Sequence, residues 1–181
     1  YGHRHVYAQD TVTKRYYLLD GKLVRSVRRA DNRLLERRMV DLEMADLQSF
    51  SIQSGESKVE FTQQNTADPE KAFWSTASSA EKHMGAKIWI GKVLRSRAVS
   101  YGSKDVLANA KTAMTLNLKG KKHDYTVVFS RVGEGLEQQW FAQSEFTRGV
   151  IKLPPVVAKD IVHDIETLGA QLLPEFEVKA E

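Results

Sequence analysis

The chain has 181 residues and no cysteine, with 41% hydrophobic and 28% charged residues, the make-up of an ordinary globular domain. Without cysteine, thiol catalysis, Cys-ligated zinc and a disulfide framework are excluded, while a reducing cytoplasm and a cysteine-poor bacterial envelope both stay open. The net charge of +4 is the sum of opposing blocks, +6 over 13–38, −6 over 39–81, +9 over 82–131 and −5 over 132–181, which can dock on one another or on a second copy and leave little field for a polyanion.

In chain order, His3 to Tyr7 alternates and Arg15 to Leu19 is aromatic and apolar, with Asp10-Thr11 between them, so a strand pair is expected. Asp20-Gly21 then separates Tyr16 to Leu19 from Leu23 to Val27, which reads as a hairpin and makes a three-stranded meander. Asp31-Asn32 is expected to cap a helical turn over Arg33 to Arg37, and Asp41 to lead a second with Leu42, Ala45 and Leu47. Phe50 to Gln53 and Lys58 to Phe61 alternate around Ser54 to Ser57 as a hairpin with one wet face, and Phe73-Trp74 forms a short strand. A helix is predicted from about 79 to 98 on the stripe Met84, Ile88, Val93 or Leu94, and Ala98, with a strand over Ile88 to Ile90 as the competitor because Gly85 and Gly91 weaken a helix. Residues 99 to 113 read as a loop with one turn near Val106 to Ala110. Met114 to Leu118 and Tyr125 to Phe129 form another hairpin, Gln139 to Gln143 and Gly149 to Leu153 two further strands, and Pro154-Pro155 opens a helix with the stripe Val157, Ile161, Ile165, Leu168 and Leu172.

Two halves echo each other: Phe50 to Thr62 is a glycine-containing hairpin followed by Trp74, and Met114 to Ser130 is another followed by Trp140. The expected fold is therefore α+β, antiparallel hairpins with two main helices in two similar lobes, divided as a β-rich first lobe over 1–78, a linking helix and loop over 79–113, and a second lobe over 114–181.

The segments Tyr17-Leu18-Leu19-Asp20, Asn32 to Arg38, Asp46 to Ile52 and Phe73-Trp74 resemble a bacterial cell-envelope repeat family of unknown function, with Met84 to Tyr101 similar to its central helix and Trp140 to Leu168 to its second strand, hairpin and final helix. Met39-Val40-Asp41 departs from the smoother apolar stretch usual there. The resemblance implies a membrane-anchored envelope protein encoded beside ABC transporter components of the gliding-motility type, and no catalytic or ligand residues carry over from it. No apolar run approaches the ~18 residues of a membrane span, since Ile88 to Gly91 is stopped by Lys87 and Lys92. The chain opens at Tyr1 without a charged and apolar leader, which leaves room for a removed N-terminal signal or anchor as its only membrane contact. The expected location is the periplasm or cell envelope, with the cytoplasm as the alternative.

Candidate chemistry is sparse. The densest cationic stretch, Arg25, Arg28, Arg29, Arg33, Arg37 and Arg38, is a candidate binding face for phosphates or anionic lipid heads, against the plainer reading of a solvated face with Asp31 and Glu36 as local partners. It lacks the interleaved aromatics of a single-strand binder; because the positive blocks are offset by negative ones, nucleic acid is expected to bind weakly and without sequence preference. His3 and His5 share a strand face without a third ligand, so no metal is expected. Asp160, His163 and Asp164 lie within a helical turn but away from the apolar stripe; Gly120-Lys121-Lys122-His123 and Gly133-Glu134-Gly135 match neither a phosphate loop nor a dinucleotide fingerprint; no Gly-x-Ser-x-Gly occurs. Trp74, Trp89 and Trp140 are expected in the core rather than stacked on a ligand. No catalytic centre and no cofactor are expected. The function expected is a non-enzymatic, envelope-associated protein-binding module, an accessory subunit of an ABC transporter or motility system; the alternative is a small-molecule or glycan-binding protein with an inter-lobe cleft, and an enzyme stands third.

Overall fold

Alternating apolar and polar residues build about 40% of the structure into antiparallel strands, and the computed structural model describes residues 5–28, 36–68, 70–171 and 176 of an α+β fold. Two compact units divide the chain, Tyr1–Glu36 and Arg37–Glu181, so the stretch expected as the first lobe is shared between them.

In unit 1, β1 (His5–Gln9) and β2 (Tyr16–Asp20) pair antiparallel with Tyr7 opposite Leu18 and Ala8 opposite Tyr17. Their turn is organised by Asp10: one carboxylate oxygen accepts the Val12 and Thr13 N–H groups at 2.8 and 3.1 Å, the other the Thr13 hydroxyl at 2.7 Å. The third strand expected over Leu23 to Val27 is instead an α-helix, α1 (Gly21–Arg28). Asp20 explains the difference, because its carboxylate accepts the Lys22 N–H at 2.6 Å and supplies a helix cap where a hairpin turn would have continued the sheet. The helical turn expected over Arg33 to Arg37 lies largely outside the described residues.

Unit 2 is built on one eight-stranded sheet in the order β5-β4-β3-β7-β8-β9-β10-β6. The strands are β3 (Leu47–Ser54), β4 (Ser57–Gln64), β5 (Phe73–Thr76), β6 (Ser100–Gly102), β7 (Lys111–Gly120), β8 (Asp124–Val132), β9 (Gln139–Gln143) and β10 (Val150–Leu153). The second helix expected behind Asp41 is absent: residues 44–46 form a turn closed by the Asp46 N–H on the Glu43 carbonyl, and Leu47 already belongs to β3. A single turn of helix fixes several dihedrals for one hydrogen bond, and the sheet ladder offers Leu47 more. The stretch expected as a loop over 99–113 contributes β6, which pairs with β10, and a 3₁₀ turn Lys104–Asn109.

The two predicted hairpins meet at the β3–β7 ladder, where Phe50 faces Leu118 and Ile52 faces Leu116. Each hairpin is followed by a third antiparallel strand carrying a tryptophan. Trp74 stands opposite Gln63, two residues past Phe61, and Trp140 opposite Arg131, two past Phe129. Ile52, Phe61, Leu116, Val127 and Phe129 are fully buried, Val59 partly so, and both tryptophans lie in the core. Phe50 is the hub of one half, its ring 4.9 Å from Phe61, 5.0 Å from Trp74 and 5.9 Å from Trp89.

The central helix α2 (Met84–Arg95) is shorter than predicted and rotated relative to the start of the predicted stripe, which holds at Val93 and Ala98, both 1% exposed. Met84 and Ile88, assigned to the buried stripe, are 57 and 64% exposed, and the buried face is Ala86, Trp89, Ile90 and Val93. That rotation buries the largest apolar side chain of the helix and lets its indole N–H donate to the Ile161 carbonyl at 2.8 Å. His83 caps α2, its Nδ1 accepting the Ala86 N–H at 3.1 Å, while its ring meets Phe61 edge-on. The last helix, α3 (Pro155–His163), runs on into a 3₁₀ turn, Asp164–Leu168, that stops at Gly169 with φ +83°. Of the predicted stripe, Ile161, Ile165 and Leu168 are buried and Val157 is partly buried; Leu172 lies outside the described residues. One other glycine is obligatory: a Cβ on Gly120 would fall 2.5 Å from the His123 carbonyl oxygen, inside the β7–β8 turn.

Candidate functional site

The structure describes four of the six arginines of the predicted binding face, two in each unit. Arg25 is exposed on α1 and Arg28 closes that helix, whereas Arg29 and Arg33 lie outside the described residues. Arg37 and Arg38 belong to unit 2 and serve its architecture. The Arg37 Nε–H donates to the Ala98 carbonyl at 2.6 Å, and Arg38 pairs with Asp41 at 2.6 Å while lying 5.6 Å over the Phe146 ring. Beside them the Tyr125 phenol is pushed above its ordinary range, first by burial and then by the Asp41 carboxylate.

The other candidates resolve into structural parts. His3 lies outside the described residues, and among the described residues no three His, Asp or Glu side chains gather where a metal ion could sit. Asp164 is engaged by Lys92, Nζ to Oδ2 2.5 Å, a pair that ties α2 to the turn after α3; Asp160 is exposed and His163 half-buried. Residues 120–123 make the β7–β8 turn, and Gly133 and Gly135, both at positive φ, frame the turn after β8. Trp140 has a buried indole N–H without a hydrogen-bond partner among the described residues, and its ring lies 5.9 Å from that of Phe176.

Three surfaces of the described residues remain for recognition. The first is the sheet face of unit 2 opposite the aromatic core. In register it carries Ser51 beside Glu60 and Asn117, and Asn117 beside Thr126, short polar side chains linked by Asn117 to Ser51 at 3.4 Å and Thr126 to Asn117 at 3.1 Å. Thr62, Glu60 and Lys119 on this face are exposed. Its sheet ends in strands of four and three residues, β5 and β6, too short to template another chain.

The second surface comprises two shallow recesses. One, about 310 Å³, is lined by Met44, Gln63, Thr66, Trp74, Lys87 and Lys121. Lys121 is already committed there to the Ala45 carbonyl at 2.8 Å and lies 3.7 Å from Asp46. The other, about 420 Å³, runs between Lys58, Glu60, Thr76 and Leu168. Neither combines an apolar enclosure with convergent unpaired polar groups, as a small-molecule site does.

The third lies on unit 1. Because side chains alternate, Tyr7, Tyr16 and Leu18 project from one face of the hairpin and Val6, Ala8 and Leu19 from the other. The second set is half-buried, as is Val24 of α1, which packs on both strands. Tyr7, Tyr16 and Leu18 are 79, 72 and 58% exposed; elsewhere in the unit Leu23 and Val27, one helical turn apart on α1, are 56 and 64% exposed and Val12 in the turn 86%. Lys14, Arg15, Lys22 and Arg25 are exposed in the same unit. Only Arg25 of this set was singled out from sequence; the Leu23, Val24, Val27 spacing was the available signal, hidden by reading the segment as a strand.

No helix among the described residues is long and apolar enough to cross a membrane. Comparison of the chain with protein-family models, with curated proteins and with solved structures finds no match.

Proposed function

We propose that the protein is a non-enzymatic, envelope-associated protein-binding module, an accessory subunit of a membrane transporter or motility system. The observation that carries this reading is the polar sheet face of unit 2, which extends across β4, β3, β7 and β8. Broad, shallow, hydroxyl- and amide-rich surfaces suit the wet contacts of protein partners, whose interfaces span several elements. Small ligands instead require enclosure, which the two recesses lack.

A photo-reactive amino acid placed at Thr62 or Thr115 and activated in native membranes tests the reading. The expected result is one discrete protein adduct that excess unmodified chain competes away and that Asn117→Arg on the same face abolishes. No adduct at either position would overturn it. A metabolite or glycan that raises the melting temperature, with the rise lost in Lys87→Ala, would move recognition to the 310 Å³ recess and overturn it equally.

A further inference from the structure

We propose that His83 is a proton-operated latch on the start of α2, holding the helix at neutral pH and releasing it as the solution turns acidic. The inference is independent of the polar sheet face, because the His83 ring lies against Phe61 on the opposite, aromatic side of the sheet.

The latch sits where four elements meet. Its Nδ1 accepts the Ala86 N–H at 3.1 Å, one of the donors that the first turn of a helix leaves without an intrahelical partner. The backbone N–H of the same residue donates to the Trp74 carbonyl of β5 at 2.7 Å, and the half-buried ring meets Phe61 of β4 edge-on with 5.2 Å between centroids. Gly85 leaves the room this requires, since a Cβ there would stand 3.3 Å from His83 Cε1 and 3.5 Å from Leu168 in the turn after α3.

The residue type makes the cap a switch. Asp20 caps α1 and Ser103 the 3₁₀ turn of 104–109, and a hydroxyl or a carboxylate still accepts in mild acid. A neutral imidazole has one accepting nitrogen, the imidazolium has none, and histidine passes between the two in mild acid. A proton on Nδ1 therefore sets two donors against each other at the positive end of the α2 dipole. Among the described residues little offsets that charge. β4 presents Phe61, β5 a carbonyl already taken by the backbone N–H, and the turn after α3 Leu168; of the carboxylates in that turn, Asp164 is held by Lys92 and Glu166 is exposed. On its own segment Glu81 and Lys82 are exposed, and the first turn of α2 has no acidic residue and carries Lys87.

The unfolded chain binds the proton freely, and the folded chain binds it only by giving up the cap. The cap's support is therefore complete above the range in which histidine ionises and is lost as the pH falls through it. Release begins at the end of α2 where Lys87 and Trp74 line the 310 Å³ recess, while the Lys92–Asp164 pair holds the far end.

His83→Asn supplies the test, because asparagine keeps an acceptor but takes no proton. The full chain and the variant are unfolded in denaturant at about pH 7.5 and about pH 5.5, followed by tryptophan emission, which arises in unit 2 alone. Between the two conditions the unfolding equilibrium constant of the wild type should rise about five- to tenfold more than that of the variant. By NMR the Ala86 amide signal of the wild type should move across this range and stay still in His83→Asn, while His163→Asn leaves the movement intact. Equal pH dependence of wild type and His83→Asn, a stationary Ala86 amide in the wild type, or movement abolished by His163→Asn would each overturn the proposal. Should His83→Asn fail to fold, the Ala86 titration of the wild type and of His163→Asn decides alone.

Discussion

In unit 2 all three tryptophans are buried, whereas in unit 1 Tyr7 and Tyr16, with Leu18, Leu23 and Val27, lie on the surface. Composition does not explain the contrast, since both units are rich in apolar residues. Geometry does. An eight-stranded sheet can lay one whole face against α2, α3 and the turn after α3, but a two-stranded hairpin has two faces and one eight-residue helix to cover them. Isolated hairpins and short helices are marginal in water for this reason. Apolar side chains thus stabilise unit 2 by packing, while those of unit 1 are held out to solvent by local turn and cap chemistry.

The most severe way to break the contrast is Trp89→Ala. It removes a buried indole, its contact with Phe50 and its hydrogen bond to Ile161, and should cost unit 2 about 3–5 kcal/mol in denaturant unfolding. A loss under about 1 kcal/mol would mean that packing is not what distinguishes the units. A smaller effect, about 1 kcal/mol, is expected for His83→Ala, which deletes the acceptor for the Ala86 N–H at the start of α2. Asn at the same position, able to accept the same bond, should restore most of it in the same measurement.

The smallest effect sharpens the comparison from the side of unit 1. The Thr13 hydroxyl, then the Val12 and Thr13 N–H groups, hold the Asp10 carboxyl below the ordinary aspartate range. A carboxyl with a lowered folded-state pKa supports the fold at neutral pH and loses that support as the pH falls below the ordinary range and through the lowered value. In an acid titration followed by NMR, the Val12 and Thr13 amide signals should therefore shift together at low pH, and Asp10→Asn should flatten the response.

The strands of unit 2 were legible in the sequence because alternation in Phe50 to Phe61 and Met114 to Phe129 is a local signal that the sheet then respects. Two failures share one cause. In α2 the predicted stripe Met84, Ile88, Val93 or Leu94, and Ala98 holds at Val93 and Ala98 but not at its start, where the position of the helix against Phe50 and Ile161 buries Ala86, Trp89 and Ile90 instead. At Asp20-Gly21 a hairpin turn and a helix cap use the same residues, and the choice depends on the Asp20 carboxylate reaching the Lys22 N–H. The arginine cluster is a separate case. Proximity in sequence ran across the boundary between units, so Arg25 is exposed in one unit while Arg37 and Arg38 hold backbone and carboxylate in the other.

The bare indole N–H of Trp140 has an optical consequence. An excited indole lowers its emission energy as polar neighbours reorient around it, and Trp140, beside Phe176, has no partner for its N–H among the described residues. Its fluorescence should be the bluest of the three, ahead of Trp89 on the Ile161 carbonyl and of Trp74 in the wall of the recess. Unit 1 contains no tryptophan, so tryptophan emission excited selectively reports unit 2 alone, without a label.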